Sequence, residues 1–223
     1  MFKGTSASAG IGIGKAVIVE EAELVITRNE VADAEGEIQR FKGALEKTIA
    51  ATQKMADDLA SRVGEKEAEI MQGHMMLLSD PMLTGEIENS VRNDKVNSEF
   101  AIENVCNMYA DMFASMGDEL MQQRATDMRD IKVRMQRTLM GLESVDVSLL
   151  PKGSILVAKD LTPSMTAGIN PENVSGIVTE LGGKTSHSAI LARALEIPAV
   201  VAVNGLMDAV KDGDKVVLDG DRK

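Results

Sequence analysis

Aromatic side chains make up only 2% of this 223-residue sequence, Trp is absent, and a single cysteine, Cys106, is all the thiol available. So few rings exclude the aromatic platforms on which single-stranded nucleic acids stack, and they argue against a β-sandwich built on aromatic pairs. One cysteine excludes an intrachain disulfide, and its place in a helical apolar stripe with Ile102, Val105 and Met108 reads as a buried thiol. No apolar run approaches the ~18 residues that a membrane helix needs. Residues 1–14 carry no basic segment followed by an apolar one, so neither secretion nor membrane insertion is expected, and the chain reads as cytoplasmic. Basic residues are outnumbered as well: 24 Lys and Arg stand against 35 Asp and Glu, a formal charge of −11. That balance excludes partners held by phosphate neutralisation, nucleic acid and anionic membrane alike, and favours a basic protein. Two histidines and one cysteine, scattered along the chain, do not form a metal site.

What is present is methionine, 15 of them, within 44% hydrophobic residues, a composition suited to helices packed by Met, Leu, Ile and Ala. Over residues 34–142 apolar side chains recur at threes and fours, beginning with Ile38, Phe41, Leu45, Ile49, Thr52, Ala56, Leu59 and Val63. Gly64 breaks this first long helix, and a second carries Ile70, His74, Leu77 and Leu78. Ser79-Asp80-Pro81 stops that helix and starts a third through Ile87 and Val91; Asn97-Ser98 caps a fourth; a fifth follows Gly117 and runs to Gly141. The pattern predicts an all-α bundle of two antiparallel helical hairpins.

Both flanks change grammar. Residues 15–20, 154–158, 174–179, 198–203 and 215–218 are short β-branched runs bounded by Gly, Pro or Asp, hence strands, with helical segments after Thr162-Pro163-Ser164 and over 188–195. The expected architecture is an α/β domain (1–22 and 144–223) whose first strand joins the later sheet, with the bundle (23–143) inserted into it. Residues 30–143 hold 22 acidic against 13 basic residues, so the acidic surplus lies on the bundle, either as a solvated face or as a docking surface for a basic partner. Gly10-Ile11-Gly12-Ile13-Gly14 looks like a dinucleotide fingerprint but has Lys15 at the last glycine and precedes a strand, which excludes it.

The segment Gly182-Gly183-Lys184-Thr185-Ser186-His187-Ser188 joins a strand to a helix start, where unpaired backbone N–H groups favour an anion. Gly182 and Gly183 let the backbone approach a phosphate, while Thr185, Ser186 and Ser188 offer hydroxyls and Lys184 a charge. An imidazole placed there can attack a phosphoryl donor to give a phosphoramidate, a reaction governed by positioning and charge stabilisation. The same pattern also accommodates a helix-start histidine with no chemical role.

The run 182–193 followed by Ile197-Pro198-Ala199-Val200 resembles the phosphohistidine motif of the phosphoenolpyruvate-utilising enzymes. Gly4 to Ala16, the run Gly73-His74-Met75-Met76-Leu77-Leu78-Ser79-Asp80-Pro81, and Arg124-Ala125-Thr126-Asp127-Met128-Arg129-Asp130-Ile131 are similar to the N-terminal part of the enzyme I branch, from the bacterial phosphoenolpyruvate:sugar phosphotransferase system. The resemblance implies a phosphohistidine α/β domain in which His187 is catalytic with Thr166 as acceptor for its second ring nitrogen. It implies that the bundle docks the phosphocarrier protein HPr through His74, Met76, Leu77, Asp80, Leu83, Arg124 and Arg129. The acidic order Glu65-Lys66-Glu67-Ala68-Glu69 with Gln72 departs from the usual one, which leaves the charge pairing with HPr open. Phosphoenolpyruvate and Mg2+ would belong to a C-terminal barrel that this sequence does not contain, so the chain is expected to be a phosphotransferase fragment with no cofactor of its own. A monomer is expected, from an intact homodimeric enzyme serving sugar uptake. Two other readings stand beside this one: the mobile phosphohistidine domain of a dikinase or synthase, and a non-catalytic adaptor for a basic partner.

Overall fold

The structure, a computed structural model, describes residues 1–221. In chain order its elements are β1 (Thr5–Ser8), β2 (Ile11–Ile18), α1 (Ala34–Arg62), α2 (Glu65–Leu78), α3 (Pro81–Asp94), α4 (Ser98–Ser115), α5 (Glu119–Met140), a 3-10 turn (Val147–Leu149), β3 (Ser154–Ala158), α6 (Pro163–Ala167), β4 (Val174–Thr179), α7 (His187–Ala194), β5 (Ala199–Val201), α8 (Leu206–Ala209) and β6 (Lys215–Asp219). They form two compact units: an α/β unit of Met1–Glu21, Leu59–Glu67 and the chain from Val145 onward, and a helical unit of Ala22–Asp58 and Ala68–Ser144.

The α/β unit is a six-stranded sheet in the order β1-β5-β4-β3-β2-β6. β2, β3, β4 and β5 run parallel, while β1 pairs antiparallel with β5 and β6 with β2. β3 is buried along its whole length, as a central parallel strand covered on both faces must be. Its side chains divide by parity: Leu156 and Ala158 join Ile177, Ala189, Ala192 and Ile197 on the face covered by α7, whereas Ile155 and Val157 join Val178, Val203, Leu206 and Leu218 on the other. The parallel pairs are bridged by β3-α6-β4 and β4-α7-β5, so the loops that leave β3 and β4 emerge at one end of the sheet.

In the helical unit, Ile38, Phe41, Leu78, Leu83, Ile87, Val91, Ile102, Met128, Ile131 and Met135 meet in one core. Fully burying each such side chain contributes on the order of 1.5–3 kcal/mol. Cys106 lies in this core, where burial pushes its thiol up to about 12. Helix ends follow local rules. Asp80 caps α3 by accepting from Met82 N–H ahead of Pro81, and Asp118 does the same for α5 from Leu120 N–H. Gly141 closes α5 in the left-handed conformation with φ 67°.

Three expectations change. Asn97 occupies the cap position of α4, but its amide serves the preceding segment, accepting from Asn29 N–H and donating to Thr27 C=O; Glu37 Oε1 accepts from Ser98 N–H instead. Residues 59–67, assigned to the bundle by periodicity, fall with the α/β unit, where Arg62 donates to Ile169 O at 2.6 Å and Ala167 O at 2.7 Å. β1 and α8 are too short for periodicity to mark, and the first long strand starts at Ile11 and not at Lys15.

Candidate functional site

Within the α/β unit, β4 ends at Thr179 and the chain turns through Gly182, whose φ of 98° lies in the region that only glycine enters without strain. Leu181 N–H donates to Lys159 O at 2.8 Å, tying the start of this turn to the loop after β3. Ser186 then caps α7, its hydroxyl accepting from Ala189 N–H at 3.3 Å, so that His187 is the first helical residue. His187 is partly buried, and its backbone N–H belongs to the group of donors that a helix start leaves outside the ladder. The turn therefore offers what an anion needs beside a nucleophilic ring: oriented peptide N–H groups and close backbone.

The hydroxyls divide differently from expectation. Ser186 Oγ donates to Gly183 O at 2.8 Å and lies 2.9 Å from Ser188 Oγ, so these two hydroxyls are internal struts of the turn, and Ser188 is buried. Thr185 remains exposed, as does Lys184, and both can meet a phosphate. Thr166 is buried on α6, which packs beside α7. Its hydroxyl donates its one proton to Thr162 O at 2.8 Å, leaving only acceptor capacity on the oxygen.

Sequence reading missed Asp160. A Cβ on Gly182 would lie 3.7 Å from Asp160 Oδ1 and 3.6 Å from Thr179 Oγ1, which places a carboxylate against the glycine turn. Burial pushes the Asp160 carboxyl above the ordinary aspartate range, opposed by a hydrogen bond from Leu161 N–H. The only prior signal was its place just after β3, one loop away from the motif. A cavity of about 720 Å³ in the same unit lies on the opposite face of the sheet, lined by Val157, Val178, Val200, Val203, Leu206 and Leu218 among others. Lys3, Asp214, Lys215 and Asp219 also line it, and it contains none of the groups around the Gly182 turn. Among the described residues no three His, Cys, Asp or Glu side chains converge on a metal position, and no helix is long and apolar enough to cross a membrane.

In the helical unit the expected docking residues separate into surface and core. Met76 is 69% exposed and Arg129 is exposed, while Leu77, Asp80 and Arg124 are partly buried. Two of these residues lie inside: His74 is fully buried, with Nε2 3.0 Å from Asp127 Oδ1, and Leu83 is 2% exposed in the core. Each lies on the inward stripe of its helix. Arg124 lies over Gly73, where an added Cβ would come within 2.8 Å of Nη1, so glycine at this position makes room for the guanidinium. The sequence reading also missed exposed apolar surface on the same helices, with Met82 68% exposed and Met108 and Met112 outward on α4. Met82, off the stripe of α3, was a signal available, whereas Met108 reads as part of the apolar stripe around Cys106.

The family model described as PEP-utilising enzyme, N-terminal, matches residues 3–124, and that described as PEP-utilising enzyme, mobile domain, matches residues 150–223. The phosphoenolpyruvate-protein phosphotransferase of Listeria monocytogenes is 42% identical over 219 residues and that of Bacillus subtilis 40% identical over 219. Each match takes in 98% of this chain and 38% of the relative, so the chain spans well under half the length of these curated relatives. An NMR solution structure of an Enzyme I protein superposes with a TM-score of 0.85 at 40% identity, covering 99% of this chain and 90% of that one. A structure of the N-terminal domain of Enzyme 1 - Nitrogen shares the fold, with a TM-score of 0.65 at 24% identity over 99% of this chain and 90% of that one.

Proposed function

Because the chain belongs to the phosphoenolpyruvate-utilising enzymes, we propose that it relays a phosphoryl group through His187 to and from the phosphocarrier protein HPr. The observation that carries this reading is the Gly182 turn, which sets His187 on the first turn of α7 among backbone donors. In the relay one ring nitrogen of His187 attacks phosphorus, a P–N bond forms on it, and the P–N bond to the HPr imidazole breaks, returning that electron pair to the carrier. The acceptor capacity of Thr166 suits it to hold a proton on the second ring nitrogen, so that one nitrogen is the nucleophile. Thr185, Lys184 and the backbone of Gly182 and Gly183 are assigned to the phosphoryl oxygens. Ser186 and Ser188 brace the turn.

The original donor in this reading is phosphoenolpyruvate, whose P–O bond breaks as the enolate of pyruvate leaves and takes up a proton to become pyruvate. Mg2+ finds no matching set of ligands among the described residues, and no step on this chain is routed through it. HPr docking is assigned to the helical unit, where Met76, Met82 and Arg129 offer apolar anchors and charge in the usual mixture of an interface. The acidic excess of this region suits a basic partner face.

The test is to mix the chain with phosphorylated HPr. Acid-labile, alkali-stable phosphate is expected on the chain and not on His187→Ala; label that persists on the variant sinks the assignment. Phosphorylation with no measurable HPr affinity would turn the reading toward a mobile domain that delivers phosphate between sites of one enzyme.

A further inference from the structure

We propose that Arg193 is a positioning residue for the phosphoacceptor turn, fixing the orientation of the Lys184–Thr185 peptide; the proposal rests on the reading that His187 takes phosphate. The two ends of the turn are held by main-chain bonds, Leu181 N–H to Lys159 O at 2.8 Å and Ser186 N–H to Gly183 O at 3.1 Å. Gly182, Lys184 and Thr185 between them are exposed. Arg193 reaches this middle stretch from the last turn of α7. Its Nη1 donates one N–H to Lys184 O at 3.1 Å and the other to Ala7 O at 2.9 Å. Ala7 is a buried residue of β1, so one nitrogen ties an exposed loop carbonyl to the sheet.

The peptide bonds of the described residues are all trans, so the C=O and N–H of each peptide point in opposite directions within its plane. Holding Lys184 O therefore also sets the direction of Thr185 N–H, two residues before His187. A donor fixed in advance of reaction stabilises a developing phosphoryl charge, whereas one that must first reorient does not. Arg193 is not a reacting group itself. Six residues beyond His187, at ~100° per residue, it points about 240° around the helix from the ring, so its influence passes through the turn.

A purely structural role is also available to a cation at a helix C-terminus, and the two roles predict different results. In single-turnover transfer from phosphorylated HPr, Arg193→Gln is expected to lower the limiting rate about 30-fold, the scale of a small misplacement of a reacting assembly. Half-saturating HPr should stay unchanged. Arg193→Lys, which keeps the charge on a shorter side chain, should recover only part of the rate. The backbone 15N order parameter of Thr185 N–H should fall in both variants. An unchanged limiting rate together with a lowered Tm overturns the proposal, as does an unaltered Thr185 order parameter. Should the wild-type chain take no phosphate, the reading of His187 fails instead, and the relaxation measurement still decides whether Arg193 holds the turn.

Discussion

The α/β unit packs Ala, Val, Leu and Ile on two faces of a sheet, with no buried Met or Phe among its described residues, and places its candidate chemistry in a turn, where Gly182 and backbone N–H groups matter as much as any side chain. The helical unit packs larger Met, Leu and Ile side chains and threads charge through its interior: His74 with Asp127, Arg134 Nη2 to Thr52 Oγ1 at 2.7 Å, and Gln136 Nε2 to Glu103 Oε2 at 2.7 Å. A buried polar pair specifies register between helices at a cost in desolvation, which suits a unit that must present a fixed surface. A turn rich in glycine suits a unit that must bring backbone close to a ligand. In the proposed reading, chemistry and recognition are thus built from different materials.

If that division is right, substitutions should separate cleanly. His187→Ala should abolish phosphate uptake while leaving the urea midpoint of the chain unchanged, because the ring is no part of either core. His74→Ala should do the reverse, destabilising by about 3 kcal/mol in urea unfolding through a cavity and an Asp127 carboxylate that loses its imidazole neighbour. At saturating HPr the folded fraction of this variant should transfer phosphate at the wild-type rate, and a large loss there would break the division. Met76→Ala should raise half-saturating HPr by about fivefold in a binding titration, with stability unaffected, as expected of one exposed interface anchor.

The smallest effect concerns Asp160. Its carboxyl is pushed up by burial, so the folded state holds the proton more tightly than the unfolded one. Stability is then lost as pH rises from the ordinary aspartate range through the raised value, and above that window the ionised group works against the fold. Asp160→Asn should raise Tm slightly at pH 7 and leave it unchanged near pH 3, measured by calorimetry. A drop in Tm at pH 7 would show that the carboxylate, not burial, dominates that corner.

The five long helices were legible because their apolar spacing persists over several turns and is punctuated by Gly64, Pro81, Asn97 and Gly117. β3 and β4 were legible as β-branched runs. β1 was not, since Thr-Ser-Ala-Ser carries no apolar alternation and becomes a strand only through its pairing with β5. In the candidate site, the glycine turn and the histidine follow from local motif. Ser186 as a strut does not, because a hydroxyl is equally able to hold phosphate or to cap a helix, and only geometry decides. His74 was placed at the docking surface by resemblance alone; its position on the Ile70–Leu77 stripe suits a packed histidine, and the structure pairs it inward with Asp127. Asp160 required the third dimension, since 22 residues separate it from Gly182 and the adjacency arises from neighbouring strand ends.

The pairing of Lys15 on β2 with Ser154 on β3 has a consequence for the order of events during synthesis. The helical unit draws on contacts between neighbours in sequence and can close as soon as α5 leaves the ribosome. β2, made before the bundle, has no parallel partner until β3 is made and no antiparallel partner until β6 follows, and β1 waits for β5. A nascent chain stalled after α5 should therefore carry a finished bundle and two waiting strands, and β1, made before the bundle, would be among the last segments to become protected.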